Sequence, residues 1–233
     1  MSIQLKDVSK TFVTAGIKVQ AINDINLVIN EGDFTMIVGP ARSGKSTLLQ
    51  MMSGKLETTH GEIQVLNQLI TNMTAEELKI FQDLNMGFIY KHYKVLESTN
   101  IKENVLMKRK LTDSFADIHE VLEITKLNHV ADKYPFQLAN GEQQKVIIAR
   151  EVLKKPKYLF CDDPTGAFSK ATTILVLDVL KKITKTYGIT CIMTTQNETL
   201  SIIADRTIYL NDGNVIKDEI NQHIEEAKDI KWS

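Results

Sequence analysis

Cysteine and histidine are scarce in this sequence, and their scarcity excludes particular kinds of site. Among 233 residues there are two cysteines and five histidines. Cys161 and Cys191 each lie in an apolar run, so we expect buried strand thiols rather than a disulfide or a redox pair. The histidines are scattered without the spacing of metal ligands, and we therefore predict no zinc site.

The chain also lacks an excess of either charge and lacks a long apolar run. Lysine and arginine total 28 against 29 aspartates and glutamates, for a formal net charge of -1. Nucleic-acid-binding proteins usually carry a strong basic surface, so we expect no nucleic-acid partner, although a local basic face is compatible with this balance. No apolar stretch approaches the length of a membrane span, and the N-terminus lacks a signal-peptide core. We therefore expect a cytosolic chain.

The most informative feature that is present is a glycine-rich loop. Residues 39–47 match the pattern G-x-x-x-x-G-K-[ST], between an apolar strand pattern at Phe34–Val38 and the start of a helical pattern at Thr47. In such a loop, backbone N–H groups and the following helix face phosphates, Lys45 would reach the outer phosphate oxygens and the Ser46 hydroxyl could ligate magnesium. The alternative is a structural glycine turn without a ligand. We predict that a nucleotide binds here, on Gly39, Pro40, Ala41, Arg42, Ser43, Gly44, Lys45, Ser46 and Thr47.

Strand and helix patterns alternate along the rest of the chain. Strands are predicted at residues 3–8, 21–29, 34–38, 61–66, 158–161 and 189–193, and helices from residue 47, at 143–153 and at about 171–187. Residues 101–133 have helical periodicity, and the polar tail after Ile216 is predicted to be a short helix or a frayed end. This alternation predicts an α/β fold with a parallel sheet, as one domain with an inserted subdomain.

A second motif with a phosphate-related role lies at residues 158–165, where two carboxylates follow an apolar strand. Such a pair often only caps a turn. Beside a phosphate-binding loop, however, a carboxylate at the end of a buried strand can hold magnesium through water, and Asp162 is placed for that role.

Together these motifs resemble those of the ATP-binding subunits of ABC transporters. The resemblance spans about residues 3–217, and residues 134–138, 163–167 and 104–105 look most like the ATPases of lipoprotein-releasing, macrolide-exporting and cell-division permease systems. It implies a P-loop NTPase fold with a RecA-like core, an antiparallel β subdomain and an inserted α-helical subdomain.

The resemblance also implies a division of the chain. Residues 1–233 would form a single ABC ATPase domain. Its nucleotide-binding core would comprise about 1–90 and 151–220, and its helical subdomain, which carries the signature motif, about 91–150.

The same resemblance implies partners and cofactors. Two ATPase subunits, either identical or unequal, would pack head to tail around two ATP molecules with Mg²⁺. An integral membrane permease would hold them at the inner face of the cell membrane, and residues 90–96 would accept one of its helices. Phe12 matches the aromatic residue that stacks on adenine in the family, although an ordinary core or edge phenylalanine is the alternative.

Several positions depart from the family pattern. Arg42 replaces a glycine inside the loop, so the backbone there must tolerate a side chain. Lys91 replaces a glutamine that contacts magnesium and the attacking water, and its positive charge puts that role in doubt.

The signature motif is also altered. Residues 138–142 correspond to L-S-G-G-Q in the family. Ala139 lacks the hydroxyl that would donate to the γ-phosphate across the dimer, and Glu142 places a negative charge where that phosphate would approach. Asn140 and Gly141 still offer backbone N–H groups, so this half of the nucleotide site is expected to be weakened rather than lost.

The residues assigned to catalysis are Lys45, Asp163 and Gln196. Asp163 replaces the glutamate that orients the hydrolytic water, and its carboxylate is one methylene shorter. Gln196 occupies the position of the switch histidine and can donate a hydrogen bond, but it cannot carry a charge. Ser169 replaces an aspartate that communicates between the two sites of the dimer.

These substitutions leave two main functional hypotheses. In the first, the chain is an ATPase, with hydrolysis slowed by the altered residues, that drives a permease. In the second, it is a nucleotide-dependent switch or the impaired half of an unequal pair. A DNA-repair ATPase of the ABC class is a weaker third hypothesis, because the charge is near neutral and no long coiled-coil insertion is present.

Overall fold

The computed structural model describes residues 2–91, 94–107 and 115–232. The helices are α1 (Lys45–Met52), α2 (Ala75–Asn85), α3 (Ile101–Leu106), α4 (Ile118–Ile124), α5 (Asn140–Leu153) and α6 (Lys170–Tyr187). The strands are β1 (Ser2–Thr14), β2 (Ile17–Asn30), β3 (Phe34–Val38), β4 (His60–Val65), β5 (Gln68–Leu69), β6 (Met86–Tyr90), β7 (Tyr158–Asp162), β8 (Thr190–Thr195), β9 (Arg206–Asn211) and β10 (Asn214–Ile220).

The strands form two sheets. The larger has the order β10-β9-β3-β8-β7-β6, and every neighbouring pair in it is parallel except β9 with β10. The smaller is antiparallel, with the order β2-β1-β4-β5. This arrangement confirms the predicted α/β fold with a parallel sheet. The carboxyl ends of β3, β6, β7 and β8 meet at one edge of the large sheet, where ligands bind in open α/β folds.

The parallel strands are buried on both faces, which explains their continuous apolar sequences. All five residues of β3 are buried. Ile37 packs into a core shared with α1 and the small sheet. Phe34 and Met36 point the other way, into a core shared with α6 and one side of α5. The glycine-rich loop therefore begins at the end of a strand that is fixed from both sides.

A third hydrophobic cluster joins the helices between β6 and β7. Ile101 and Val105 of α3 and Val121 of α4 pack against Val146 and Ala149 of α5. Because another side of α5 packs on the sheet through Ile148 and Val152, this one helix connects the helical segment to the nucleotide-binding sheet.

Both cysteines are buried free thiols in adjacent strands, as the sequence predicts. Cys161 in β7 and Cys191 in β8 have their Sγ atoms 3.9 Å apart. Burial among apolar neighbours raises the pKa of the Cys161 thiol well above its ordinary value. These thiols are therefore poor nucleophiles and serve as core residues.

The prediction of a short helix or a frayed end after Ile216 is wrong at its start, and a short 3₁₀ helix follows only at Ala227–Asp229. Residues 214–220 form the edge strand β10, which pairs with β9, rather than a helix or a frayed end. Only part of β10 is shielded from solvent, so its sequence lacks a clear apolar alternation. The Arg206 guanidinium donates to both Asp218 carboxylate oxygens, at 2.7 and 2.5 Å, and this bidentate pair fastens β10 to β9.

Residues 101–133 are helical only in part. Within the described residues, α3 and α4 are short, and the segment ends in a single 3₁₀ turn at Asn128–Val130. Asn100 and Asp117 each cap the helix that follows them, so the sequence carries start signals for two helices rather than one.

None of the described helices is both long enough and apolar enough to span a membrane.

Candidate functional site

A cleft of about 330 Å³ lies at the carboxyl edge of the large sheet. It brings together residues from the glycine-rich loop and from the ends of β6, β7 and β8, which are far apart in sequence. The lining residues are Ala21, Ala41, Arg42, Ser43, Gly44, Lys45, Ser46, Thr47, Lys91, Asp162, Asp163, Thr194 and Gln196. Seven of the nine predicted loop residues, Ala41–Thr47, thus line one cavity with the Asp162–Asp163 pair, Lys91 and Gln196, whereas Gly39 and Pro40 lie outside the lining.

Two glycines allow the loop its path. A Cβ atom added to Gly39 would lie 2.1 Å from the carbonyl oxygen of Leu210, so a side chain there requires a backbone shift. Gly44 has φ of 101°, in the region open mainly to glycine, and it forms the N-cap of α1. Arg42 has φ of 65°, which costs a non-glycine residue on the order of 1 kcal/mol. The loop keeps the conformation of a glycine at position 42 even though arginine occupies it.

The N-terminus of α1 faces this cleft with its backbone donors uncapped. No side chain among the described residues accepts from the first turn of α1, and that turn contains no acidic residue. The first N–H groups of a helix lack intrahelical partners and carry the positive end of the helix dipole. The loop and α1 together form a typical site for phosphate groups.

Lys45 is held against the loop. Its Nζ donates to the carbonyl oxygen of Pro40 at 2.5 Å and to Ser43 Oγ at 3.2 Å. Burial lowers the pKa of the Lys45 ammonium, while the Asp163 and Asp162 carboxylates oppose this effect. The ammonium is therefore pre-positioned beside the backbone donors.

Asp162, at the end of β7, accepts hydrogen bonds from two hydroxyl groups. Its Oδ1 accepts from Ser46 Oγ at 2.7 Å and from Thr194 Oγ1 at 2.8 Å. Carboxylate and hydroxyl oxygens are ligands that Mg²⁺ prefers, and Mg²⁺ typically takes only one or two protein groups alongside substrate phosphates. Ser46 and Asp162 therefore fit the magnesium role predicted for them.

Asp163 forms an ion pair with Lys91, the residue predicted to replace a glutamine. Lys91 Nζ lies 3.1 Å from Asp163 Oδ2, and the two side chains are 39% and 16% exposed. The register of β6 and β7 explains the contact, because Tyr90 pairs with Asp162 and the next residue of each strand follows beside it. Asp163 itself has φ of 45°.

Thr194 is a site residue that the sequence motifs did not reveal. It is buried in β8, where its Oγ1 donates to Asp162 and accepts the backbone N–H of Asp163 at 3.0 Å. It therefore fixes both acidic residues relative to the sheet. The only sequence signal for a role of Thr194 in the site was its position two residues before Gln196. Gln196 is exposed just after the end of the same strand.

The residues of the signature motif lie away from the lining of this cleft, at the N-terminus of α5. Glu142 Oε2 accepts the backbone N–H of Ala139 at 3.1 Å, and its Oε1 lies 3.3 Å from His129 Nε2. Gly141 packs closely on α6, because an added Cβ would lie 2.4 Å from a methyl group of Thr172. The Glu142 charge is therefore used first to cap its own helix.

Ser169 has a local structural role. Its Oγ accepts the backbone N–H of Thr172 at 3.3 Å and lies 3.0 Å from Thr172 Oγ1, so it caps the N-terminus of α6. Serine is one of the residues that cap helix N-termini well.

Phe12 and the predicted permease-binding segment lie outside the cleft lining. The Phe12 ring, in β1, is 38% exposed and has Lys10 Nζ 5.3 Å from its centroid. In the segment 90–96, Tyr90 and Leu96 are 43% and 44% exposed, whereas positions 92 and 93 lie outside the described residues. An adenine contact and a permease contact at these places stay predictions.

The glycine-rich loop leads into α1, and Ser46 in the first turn of that helix donates to the Asp162 carboxylate at the end of β7. This arrangement defines a P-loop nucleotide-binding protein. A family model described as "ABC transporter" matches residues 22–166, more than half of the chain. The chain therefore belongs to the ABC transporter family of ATP-binding proteins, as its motifs indicate.

Several curated relatives are similar over most of this chain. A putative ABC transporter ATP-binding protein of Mycoplasma pneumoniae, the MG467 homolog, is 32% identical over 87% of this chain and 61% of its own length. The methionine import ATP-binding protein MetN 2 of Acinetobacter baylyi is 34% identical over 92% and 64%, respectively. An uncharacterised ABC transporter ATP-binding protein of Methanocaldococcus jannaschii is 33% identical over 92% and 98%. The chain thus spans half to two thirds of the length of several of these relatives.

The fold also matches solved ATP-binding cassettes. The dimeric post-hydrolysis structure of the cassette MJ0796 bound to ADP and Pi has a TM-score of 0.83 and 28% identity, covering 95% of this chain and all of that one. This similarity confirms the predicted P-loop NTPase fold.

Proposed function

We propose that this chain is the ATP-binding subunit of an ABC transporter. The subunit binds Mg-ATP and hydrolyses it slowly to drive a membrane permease. The observation that carries the proposal is the single cleft in which the glycine-rich loop, Lys45 and the Ser46–Asp162 pair converge. Family membership supports ATP as the ligand and ATPase activity in general.

The phosphates would bind the backbone N–H groups of the loop and of the first turn of α1. Lys45 would pair with the outer phosphate oxygens, after its ammonium leaves the carbonyl oxygen of Pro40. Ser46 and Asp162 would hold Mg²⁺, which would neutralise charge on the outer phosphates. Phe12 would supply a stacking surface for adenine from the exposed face of its ring.

Asp163 would position or deprotonate the attacking water, and Gln196 would donate a hydrogen bond to the γ-phosphate. Two features support a slow reaction. The Asp163 carboxylate is one methylene shorter than that of glutamate, and it is already paired with Lys91. The Lys91 ammonium therefore occupies a carboxylate oxygen that would otherwise be open to the attacking water.

Transport would require a second ATPase subunit and an integral membrane permease at the cytoplasmic face of the membrane. The partner subunit's signature residues would cover the nucleotide, as Ala139, Asn140, Gly141 and Glu142 of this chain would cover the partner's. The similarity to a dimeric cassette supports this arrangement. The exposed Tyr90 and Leu96 support a permease contact at residues 90–96.

The motifs at 134–138 and 163–167 favour a transporter of the lipoprotein-releasing, macrolide-exporting or cell-division type. Co-purification with a permease of each class would test this assignment. Replacing the exposed Leu96 with aspartate should weaken such co-purification, and unchanged recovery would count against the docking segment.

A second candidate function is a nucleotide-dependent switch, or the impaired half of an unequal ATPase pair. It is favoured by the ion pair on Asp163 and by the negative charge of Glu142 at the start of α5. In this case a partner subunit with an intact signature motif and a catalytic glutamate would restore hydrolysis to the mixed dimer.

Phosphate release by the purified chain, measured together with Mg-ATP binding, separates the two functions. Lys45→Ala is the control that removes the loop cation, and Lys94→Gln removes a nearby exposed lysine outside the cleft lining. Release above that of Lys45→Ala supports the ATPase. Binding without release supports the switch or half-pair, and the assay is then repeated with a candidate partner subunit. Absence of Lys45-dependent binding would contradict both.

A further inference from the structure

The charged groups of the cleft differ in the partners that hold them. Its lining contains the cations Arg42, Lys45 and Lys91 and the carboxylates Asp162 and Asp163. Lys45 donates to oxygen atoms of the loop, and Asp162 accepts from two hydroxyl groups. Lys91 and Asp163 are paired with each other. If glutamine stood at position 91, cations and carboxylates would balance; Lys91 gives the lining a surplus positive charge.

Asp163 is the fixed member of this pair. Its backbone N–H donates to Thr194 Oγ1 at 3.0 Å, and its carboxylate lies against Gly166, where an added Cβ would be 2.1 Å from Oδ2. The backbone of Asp163 is therefore held by Thr194, and its carboxylate lies over Gly166 with only 16% of the side chain exposed.

Lys91 is the movable member. Its backbone follows the end of β6, which is anchored by pairing with β7, but its side chain is 39% exposed. A lysine carries its charge on a flexible four-carbon stem, so the ammonium can leave Asp163 for another oxygen in the same cleft while the backbone stays in place. Breaking so exposed an ion pair costs little.

We propose that Lys91 binds phosphate in this cleft when a nucleoside triphosphate is present and pairs with Asp163 when it is absent. The ammonium would then supply part of the positive charge that the triphosphate otherwise receives from a divalent cation. This rests on the proposed function, because it assumes that the triphosphate lies on the glycine-rich loop. The cleft should then retain measurable affinity for ATP without metal, and Lys91 should be the cause.

The test compares the equilibrium binding of ATP in the presence of Mg²⁺ with its binding in the presence of EDTA. Binding is measured by the fluorescence of a labelled analogue or by calorimetry. Lys91→Gln should weaken metal-free ATP binding by about fivefold, the size expected for one partly solvated charge a few ångströms from a phosphate, and should weaken Mg-ATP binding less. Lys91→Arg should keep the wild-type ratio of the two affinities. Asp163→Asn should strengthen metal-free binding, because it releases Lys91.

Lys94→Gln serves as the matched control, since Lys94 is exposed nearby and does not line the cleft. Thermal unfolding of each variant confirms that it is folded. Equal metal dependence in wild type and Lys91→Gln would overturn the proposal, as would an equal effect of Lys94→Gln. If wild type shows no binding that depends on Lys45, the proposed function itself fails; if that binding is present and only the Lys91 effect is missing, this inference alone fails.

Discussion

Replacing Asp163 with glutamate is expected to raise ATP hydrolysis, and adding Lys91→Gln is expected to raise it further. The longer side chain moves the carboxylate towards the position that the family uses, and a misplacement near 1 Å costs on the order of a hundredfold in rate. Asp163→Glu should therefore gain up to about a hundredfold. The Lys91–Asp163 pair spans 3.1 Å and is partly exposed. Pairs of this kind are worth about 0.2–1 kcal/mol, so removing the cation should add about 1.4- to fivefold.

The assay is the turnover number at saturating Mg-ATP for wild type, both single variants and the double variant. Saturation removes any loss of nucleotide affinity caused by Lys91→Gln. Lys45→Ala gives the background rate. A turnover number of Asp163→Glu at or below wild type would refute the idea that the short carboxylate limits the reaction. A double variant slower than Asp163→Glu would refute the idea that Lys91 restrains it.

Three further changes test other parts of the structure. Gly39→Ala should abolish nucleotide binding, because its Cβ would collide with the Leu210 carbonyl oxygen; unchanged affinity would contradict the described loop path. Glu142→Gln should strengthen ATP-dependent dimerisation severalfold in sedimentation experiments, since it removes a negative charge where a phosphate approaches; no change would show that the charge is irrelevant. Asn104→Ala should lower the free energy of unfolding by about 3 kcal/mol, because three or more buried hydrogen bonds are lost; a loss below about 1 kcal/mol in urea unfolding would contradict that role.

The Asn104 prediction follows from its position in α3, where it links this helix to α5 and to the segment after β6. Its buried Oδ1 accepts from the Leu96 backbone N–H at 2.8 Å and from Arg150 at 2.7 Å, and its Nδ2 donates to the Leu96 carbonyl oxygen at 2.9 Å. Arg150 also donates to the Lys94 carbonyl oxygen at 3.3 Å. The helix that begins with the signature motif is thus hydrogen-bonded to the chain that follows Lys91.

Features encoded by a local pattern could be predicted from the sequence. The glycine-rich loop lies between β3 and α1 because an apolar run, a spaced pair of glycines and a helical pattern follow one another. The same holds for β7 and the acidic pair at its end. Helix α2 also had a readable start signal that the prediction did not use, since Thr74 and Glu77 form a capping box.

Features that depend on strand register could not be predicted in this way. Lys91 and Asp163 are 72 residues apart in sequence. They meet only because β6 and β7 are adjacent and parallel, and no local pattern carries that information. Thr194 reaches the Asp162 carboxylate and the backbone N–H of Asp163 for the same reason, since β7 and β8 are adjacent and parallel. The edge strand β10 escaped prediction because β9 supplies its backbone partners, so its own side chains need little apolar periodicity.

The whole proposal depends on nucleotide phosphates binding the cleft between the glycine-rich loop and Asp162. A crystal structure of the chain with Mg²⁺ and a non-hydrolysable ATP analogue would show whether they do. We expect density for the phosphates along residues 39–47, with Lys45 Nζ on the outer phosphates and the metal ion beside Ser46 and Asp162. Phosphates bound elsewhere on the chain, or a loop left empty at saturating analogue, would contradict it.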